Sequence, residues 1–208
     1  MKRVSGGAGW LLGAALVGAA LAQSDPLASR SKGRADAPVV VYEMADFQCP
    51  ACRAFFLRTL PLIDKEYIET GKVRWVFVHF PLNGIHPNAA AAAEIATCAA
   101  RQGKFWQLHD LLYERQDEWA GLAEPTAYFL TLADSVHLSR AQLTRCVTSN
   151  AARREVEGDL DRSQRTGANS TPTFYIEGGL LVGAAPIDVF RQVLDSIYRS
   201  KRPPTPRG

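Results

Sequence analysis

Val39-Val40-Val41-Tyr42-Glu43-Met44-Ala45-Asp46-Phe47-Gln48-Cys49-Pro50-Ala51-Cys52 is the stretch on which the fold turns. Its β-branched opening follows Pro38 and reads as a buried strand. The turn Asp46-Phe47-Gln48 leads into Cys49, and from Pro50 on Phe55, Phe56, Leu60, Ile63 and Tyr67 recur at helical spacing. Pro61 sits inside that stretch and predicts a kink, and Gly71 ends it. Lys72-Val73-Arg74-Trp75-Val76-Phe77-Val78-His79-Phe80 is a second strand, closed by Pro81. Strand, helix, strand is a βαβ unit with a right-handed crossover and parallel strands. Cys49 then lies at the carboxyl end of the first strand, the edge where α/β proteins build their sites.

Beyond this unit, Asn88 to about Arg165 turns helical. Ala89 to Ala100 is rich in the strongest helix former, and Phe105, Leu108, Leu111 and Leu112 give the next helix an apolar face. Pro125 suits a first helical turn, Ser139 with Gln142 forms a capping box, and Ala151 to Ser163 continues as a charged helix. Strand character returns at Thr173-Phe174-Tyr175-Ile176, where Gly178-Gly179 turns the chain into Leu180-Leu181-Val182 as a hairpin. Ile187, Phe190, Val193, Leu194 and Ile197 then mark one face of a last helix. The order βαβ, helical block, ββα predicts a small mixed sheet with a helical insertion.

The N-terminus bears on location. Lys2 and Arg3 precede an uncharged apolar run from Trp10 to Ala22 that ends in Ala20-Leu21-Ala22. That is the layout of a secretory signal peptide cleaved after Ala22. An uncleaved anchor is the rival, though spanning a bilayer takes about 20 residues. The expected organisation is a signal peptide at 1–22, a flexible leader at 23–37, the βαβ part at 38–83, the helical insertion at 84–166, the ββα part at 167–200 and a disordered tail at 201–208. The chain of 208 residues, 47% apolar, is long enough to bury a proper core. Its formal charge of +3 is scattered, and no basic stripe interleaved with aromatics points to nucleic acid.

Export permits disulfides. Of the four cysteines, Cys49 and Cys52 are local partners, while Cys98 and Cys146 lie far apart in helical sequence. The simplest pairing is one reactive and one structural bond. Disulfide exchange needs a thiolate to attack and a second thiol to resolve the mixed disulfide. At a helix start the first sulfur meets unpaired N–H groups and the positive dipole end. In such motifs its pKa falls from about 8.5 to roughly 3.5–7.5. Pro50 fits the first turn. Cys49 is thus the attacking thiol and Cys52 the buried partner. The rival readings are an inert bond or half a zinc site, but Cys98, Cys146 and the four histidines supply no second compact ligand pair. No metal, nucleotide or flavin is implied. His79 reads as a packed strand residue, and His86, His109 and His137 carry no catalytic pattern.

These residues resemble a family. Glu43, Asp46-Phe47-Gln48-Cys49-Pro50-Ala51-Cys52 and Ser170-Thr171-Pro172-Thr173-Phe174 resemble the DsbA-type branch of the thioredoxin-fold oxidoreductases. His79-Phe80-Pro81-Leu82, His86-Pro87-Asn88-Ala89 and Cys98-Ala99-Ala100-Arg101-Gln102-Gly103-Lys104-Phe105-Trp106 resemble its exported members with a helical insertion. The resemblance covers about Pro38 to Ser200 and implies a thioredoxin fold.

It also implies roles. Pro172 matches the cis-proline whose loop lies against the active disulfide, with Thr171, Pro50 and Ala51 meeting an extended substrate peptide. An ordinary trans proline at the start of a strand is the alternative. Glu43 matches a buried acid that helps the inner thiol exchange its proton, the alternative being an exposed strand face. Cys98 and Cys146 match a second, structural bond of some relatives; two free thiols or a second redox pair are the alternatives. The implied activity is a monomeric oxidase in the periplasm or another extracytoplasmic space. It introduces disulfides into reduced, unfolded exported polypeptides and is reoxidised by a quinone-linked membrane thiol oxidase. The same chemistry run as a reductase or isomerase, and a redox-inert binding or chaperone module using the same groove, are the rivals.

Overall fold

The computed structural model describes residues 27–201. At its centre is β2 (Val39–Ala45), paired in parallel with β3 (Val73–His79) from Val39 opposite Val73 to Ala45 opposite His79. On its other side β2 runs antiparallel to β4 (Thr173–Ile176), which pairs with β5 (Gly179–Val182). A two-residue strand, β1 (Ser31–Lys32), edges β3, so the order is β1-β3-β2-β4-β5. A central strand covered on both faces needs an almost unbroken apolar run, and Val39, Val41, Met44 and Ala45 are all buried.

The crossover from β2 to β3 begins with α1 (Pro50–Arg58). The helix breaks at Thr59 and resumes as α2 (Leu60–Ile63), where Pro61 lacks the N–H a continuous helix needs. One π-type turn, Asp64–Ile68, follows, and Gly71 at φ +73° swings the chain into β3. Phe55, Trp75, Phe174, Phe190 and Leu194 form the core on this face, against α9 (Ile187–Lys201).

Six helices lie between β3 and β4: α3 (Ala89–Ala100), α4 (Phe105–Glu114), α5 (Gln116–Trp119), α6 (Thr126–Ser135), α7 (Arg140–Thr148) and α8 (Ala151–Arg165). The expected cap is present, with Ser139 Oγ accepting the Gln142 N–H. Their core joins the other face of the sheet through Phe77, Phe105, Leu108 and Trp119, and it contains Phe47, Cys49 and Cys52. The active turn is therefore built into the junction of sheet and helices. Fold class and insertion are as expected: a thioredoxin-like mixed sheet with a helical subdomain.

Three expectations are corrected. The leader is fixed from Ala28: a 3-10 turn, Ala28–Arg30, runs into β1, and Arg30 is fully buried against Asp159 and Glu155. Lys201, expected in the tail, belongs to α9, where its ammonium pairs with Glu177 and the Pro38 carbonyl. The hairpin turn is Glu177-Gly178, both at positive φ, since Gly179 already pairs with Ile176. A two-residue type I′ turn demands that backbone at both central positions. The expected signal peptide at 1–22, and positions 202–208 of the tail, lie outside the described residues. Among the described residues no helix is long and apolar enough to cross a membrane.

Candidate active site

Cys49 is the N-cap of α1, in extended backbone, and Pro50 occupies the first helical turn. The Asp46 carbonyl accepts the Cys49 N–H at 3.1 Å, which closes the turn between β2 and α1. Pro50 and Ala51 are exposed, Cys49 is nearly covered and Cys52 is sealed, both cysteines being free thiols. One sulfur is thus offered to a partner and the other kept behind it.

Their ionisation diverges accordingly. The Cys49 thiol is pulled down to about 5, first by a hydrogen bond from the Cys52 thiol, against the opposing effect of burial. The Thr171 side chain and the Cys52 and Ala51 N–H groups add to it, as an N-terminal helix end allows. Cys52 moves the other way: burial pushes it well up, and the neighbouring Cys49 pushes further.

Thr171-Pro172 is a cis peptide. It brings the Thr171 carbonyl to 3.5 Å from Cys49 Sγ, so the loop lies on the sulfur. The Thr171 hydroxyl is buried without a hydrogen-bond partner. It is therefore free to stabilise a thiolate at Cys49, the direction in which it moves that group.

Glu43 is buried in the middle of β2, not on an exposed strand face. The Trp75 Nε1–H donates to its Oε2 at 2.8 Å. Burial raises its carboxyl to about 7, against the pull of Trp75 and of Lys32. Its charge also bears on Cys52, holding that thiol up. Cys98 in α3 and Cys146 in α7 are joined by a disulfide, with Cα atoms 5.8 Å apart. His79 is packed in the core, where burial lowers its pKa well below the usual value and its Nε2 meets Thr97 Oγ1 at 3.0 Å.

Several supports carry no apolar period and went unread in the sequence. Gln116 Nε2 donates to the Phe47 carbonyl at 2.6 Å and the Cys49 carbonyl at 3.1 Å. Gln48 Oε1 accepts the Asn88 N–H at 2.7 Å, and its Nε2 donates to the Ala120 carbonyl at 2.8 Å. These amides tie the active turn to the helical subdomain. Asp46 takes the Gln48 N–H on Oδ1 at 2.7 Å, a local turn in which an Asp two residues before its donor is a readable signal.

Comparison with known proteins agrees with this geometry. The family described as "Thioredoxin" matches residues 27–196. The probable disulfide bond formation protein D of Bacillus anthracis is 33% identical over 155 residues, spanning 73% of this chain and 70% of that protein. The Na(+)/H(+) antiporter NhaA 3 of Salinispora tropica is 32% identical over 178 residues, which are 86% of this chain. The chain spans only 26% of that antiporter, so the likeness is to one segment of it. The crystal structure of oxidised BdbD from Bacillus subtilis superposes with a TM-score of 0.74 at 25% identity, covering 82% of this chain and 92% of that one. The chain belongs to the thioredoxin family, within its branch of DsbA-type thiol–disulfide oxidoreductases.

Proposed function

We propose that this chain is a protein disulfide oxidase acting outside the cytoplasm, which hands the Cys49–Cys52 disulfide to reduced, unfolded exported polypeptides. The observation that carries this reading is the split between the sulfurs, Cys49 drawn down to about 5 and Cys52 pushed up. A thiolate favoured in the reduced protein makes its disulfide the stronger oxidant. The depth of the Cys49 depression weighs against a reductase such as thioredoxin, whose attacking thiol is lowered only to about 7.

In the reaction, a substrate thiolate attacks Cys49 Sγ, and the Cys49–Cys52 bond breaks with its electron pair on Cys52. A second substrate thiolate then attacks the substrate sulfur of the mixed disulfide and releases Cys49 as a thiolate. The substrate has lost two electrons and the enzyme has gained them. Thr171, presented by its cis bond to Pro172, offers backbone to the peptide beside the reacting sulfur, and exposed Pro50 and Ala51 give it access. Glu43 accepts or returns the Cys52 proton, and the Cys98–Cys146 bond braces the helical subdomain. The signal-like residues 1–22 favour export. Reoxidation falls to a membrane thiol oxidase linked to quinone.

Equilibrating the protein in glutathione buffers measures the Cys49–Cys52 potential, and refolding a reduced substrate protein measures its use. An oxidising couple that drives refolding is expected. A strongly reducing couple without oxidative refolding overturns the oxidase reading, and a fully active Cys49→Ser variant overturns the site.

A further inference from the structure

Asp46 touches both cysteines through its backbone and is stapled in place through its side chain. The carboxylate is closed to solvent. It accepts the Gln48 N–H on Oδ1 at 2.7 Å, and on Oδ2 the Leu82 N–H at 2.8 Å and His86 Nδ1 at 2.7 Å. Two of these donors belong to the loop that follows β3, and His86 sits at the surface with 15% of its side chain exposed. On the main chain, the Asp46 carbonyl accepts the Cys49 N–H at 3.1 Å and the Tyr113 hydroxyl at 3.4 Å. The Asp46 N–H acts on the Cys52 thiol as a backbone donor that favours its thiolate.

From this geometry we propose that Asp46 is a positioning residue of the exchange couple: Leu82 and His86 lock its carboxylate, and the locked residue presents its N–H to the Cys52 thiolate and its C=O to the Cys49 N–H. The proposal rests on the reading of Cys49–Cys52 as an exchange couple. Exchange passes through a Cys52 thiolate in both directions. When a substrate thiolate attacks Cys49, the Cys49–Cys52 electron pair leaves on Cys52. When a mixed disulfide is resolved, the Cys52 thiolate attacks Cys49 and the bound thiol departs as a thiolate. Cys52 is sealed from water, so its charge depends on the few donors held against it, and a hydrogen bond to a charged acceptor is among the stronger kinds.

A carboxylate suits this post because it only accepts. An amide of the same size turns an NH2 toward one of the three donors and loosens the staple. His86 contributes by orientation, since its Nδ1 hydrogen holds Oδ2 while Oδ1 remains for Gln48.

The test uses the reduced full chain and oxidised glutathione, with acid quench and mass measurement of the Cys49–glutathione mixed disulfide and of released glutathione. Asp46→Asn is expected to slow the release step about tenfold, the size of one lost charge-assisted hydrogen bond. It should also shift the glutathione equilibrium constant, a readout that mere loss of stability leaves alone. His86→Ala should shift both in the same direction by less, and His86→Asn, whose amide still donates, should recover part. A wild-type release rate and equilibrium in a folded Asp46→Asn overturns the proposal; should that variant not fold, the same result in His86→Ala overturns it. If the wild-type chain forms no Cys49–Cys52 bond with oxidised glutathione, the exchange reading has failed instead.

Discussion

Trp75 and Glu43 meet inside the sheet, the indole N–H donating to the carboxylate at 2.8 Å on neighbouring strands β3 and β2. That single donor does not offset burial, and the carboxyl titrates near 7 rather than at its ordinary 4.5. An acid whose folded pKa is raised stabilises the fold while protonated. The contribution is whole below 4.5 and is lost as pH rises through 7, on the order of 3 kcal/mol in all. Glu43→Gln keeps an acceptor for Trp75 and never ionises. Its melting temperature relative to wild type should therefore climb between pH 4.5 and pH 8. Equal melting differences at both ends would mean that Glu43 is not held near 7.

The Cys49 thiolate gives the opposite sign. Its folded pKa of about 5 lies below its ordinary 9.0, so it stabilises the reduced protein fully above 9 and loses that effect as pH falls through 5. About 3 kcal/mol is in place at pH 7, equivalent to about 60 mV toward an oxidising couple. Alkylation of reduced protein should show a mid-point near 5. Thr171→Val removes the hydroxyl while keeping the shape of the side chain and the backbone carbonyl, so its mid-point should rise and its potential become more reducing. An unmoved mid-point would separate the Thr171 hydroxyl from the thiolate.

The parts of this molecule written in apolar periodicity were legible before the structure. Val39, Val41, Trp75, Phe174 and Phe190 announce a strand or helix face by spacing alone, and the helix start announces what Cys49 does. Long-range polar pairings leave no such trace. Arg30 finds Asp159 at a separation of 129 positions, and Gln116 finds Cys49 at 67. Neither Arg nor Gln in a polar stretch differs locally from one that faces water. That is why the leader reads as flexible in sequence and is fixed in the fold, and why the amides holding the active turn stay hidden. Asp46 is the intermediate case, because its bond to Gln48 is local while its bonds to Leu82 and His86 are not.

The Cys98–Cys146 disulfide closes a span of 48 residues between α3 and α7. Cross-linking a loop of that length contributes roughly 2–4 kcal/mol, mainly by restricting the unfolded chain. Both cysteines sit on helices of the insertion, Cys98 in α3 and Cys146 in α7, and not in the active turn. The Cys98→Ala/Cys146→Ala double variant should therefore lose stability in urea by about that amount, with the Cys49–Cys52 potential unchanged. A shifted potential would instead mark the bond as a second redox pair.

Arg30 makes the strongest claim on the leader. Its guanidinium is fully buried and pairs with Asp159 and, at 3.2 Å, with Glu155; Asp159 also accepts the His79 N–H at 3.1 Å. Burial pushes the Asp159 carboxyl up, but the Arg30 charge and the His79 contacts outweigh it, and the group ends below its ordinary 3.8. Arg30→Met leaves that carboxylate buried with the half-exposed Arg162 and the His79 N–H beside it. Breaking one side of a buried pair costs about 3–5 kcal/mol. Without Arg30, burial governs and the Asp159 pKa rises, so the loss should be largest at neutral pH and shrink as acid protonates the carboxyl. Arg30→Met/Asp159→Asn removes the stranded charge and should regain much of the stability at pH 7 while losing the pH dependence. If Arg30→Met melts like wild type at pH 7, the leader is not anchored through this pair.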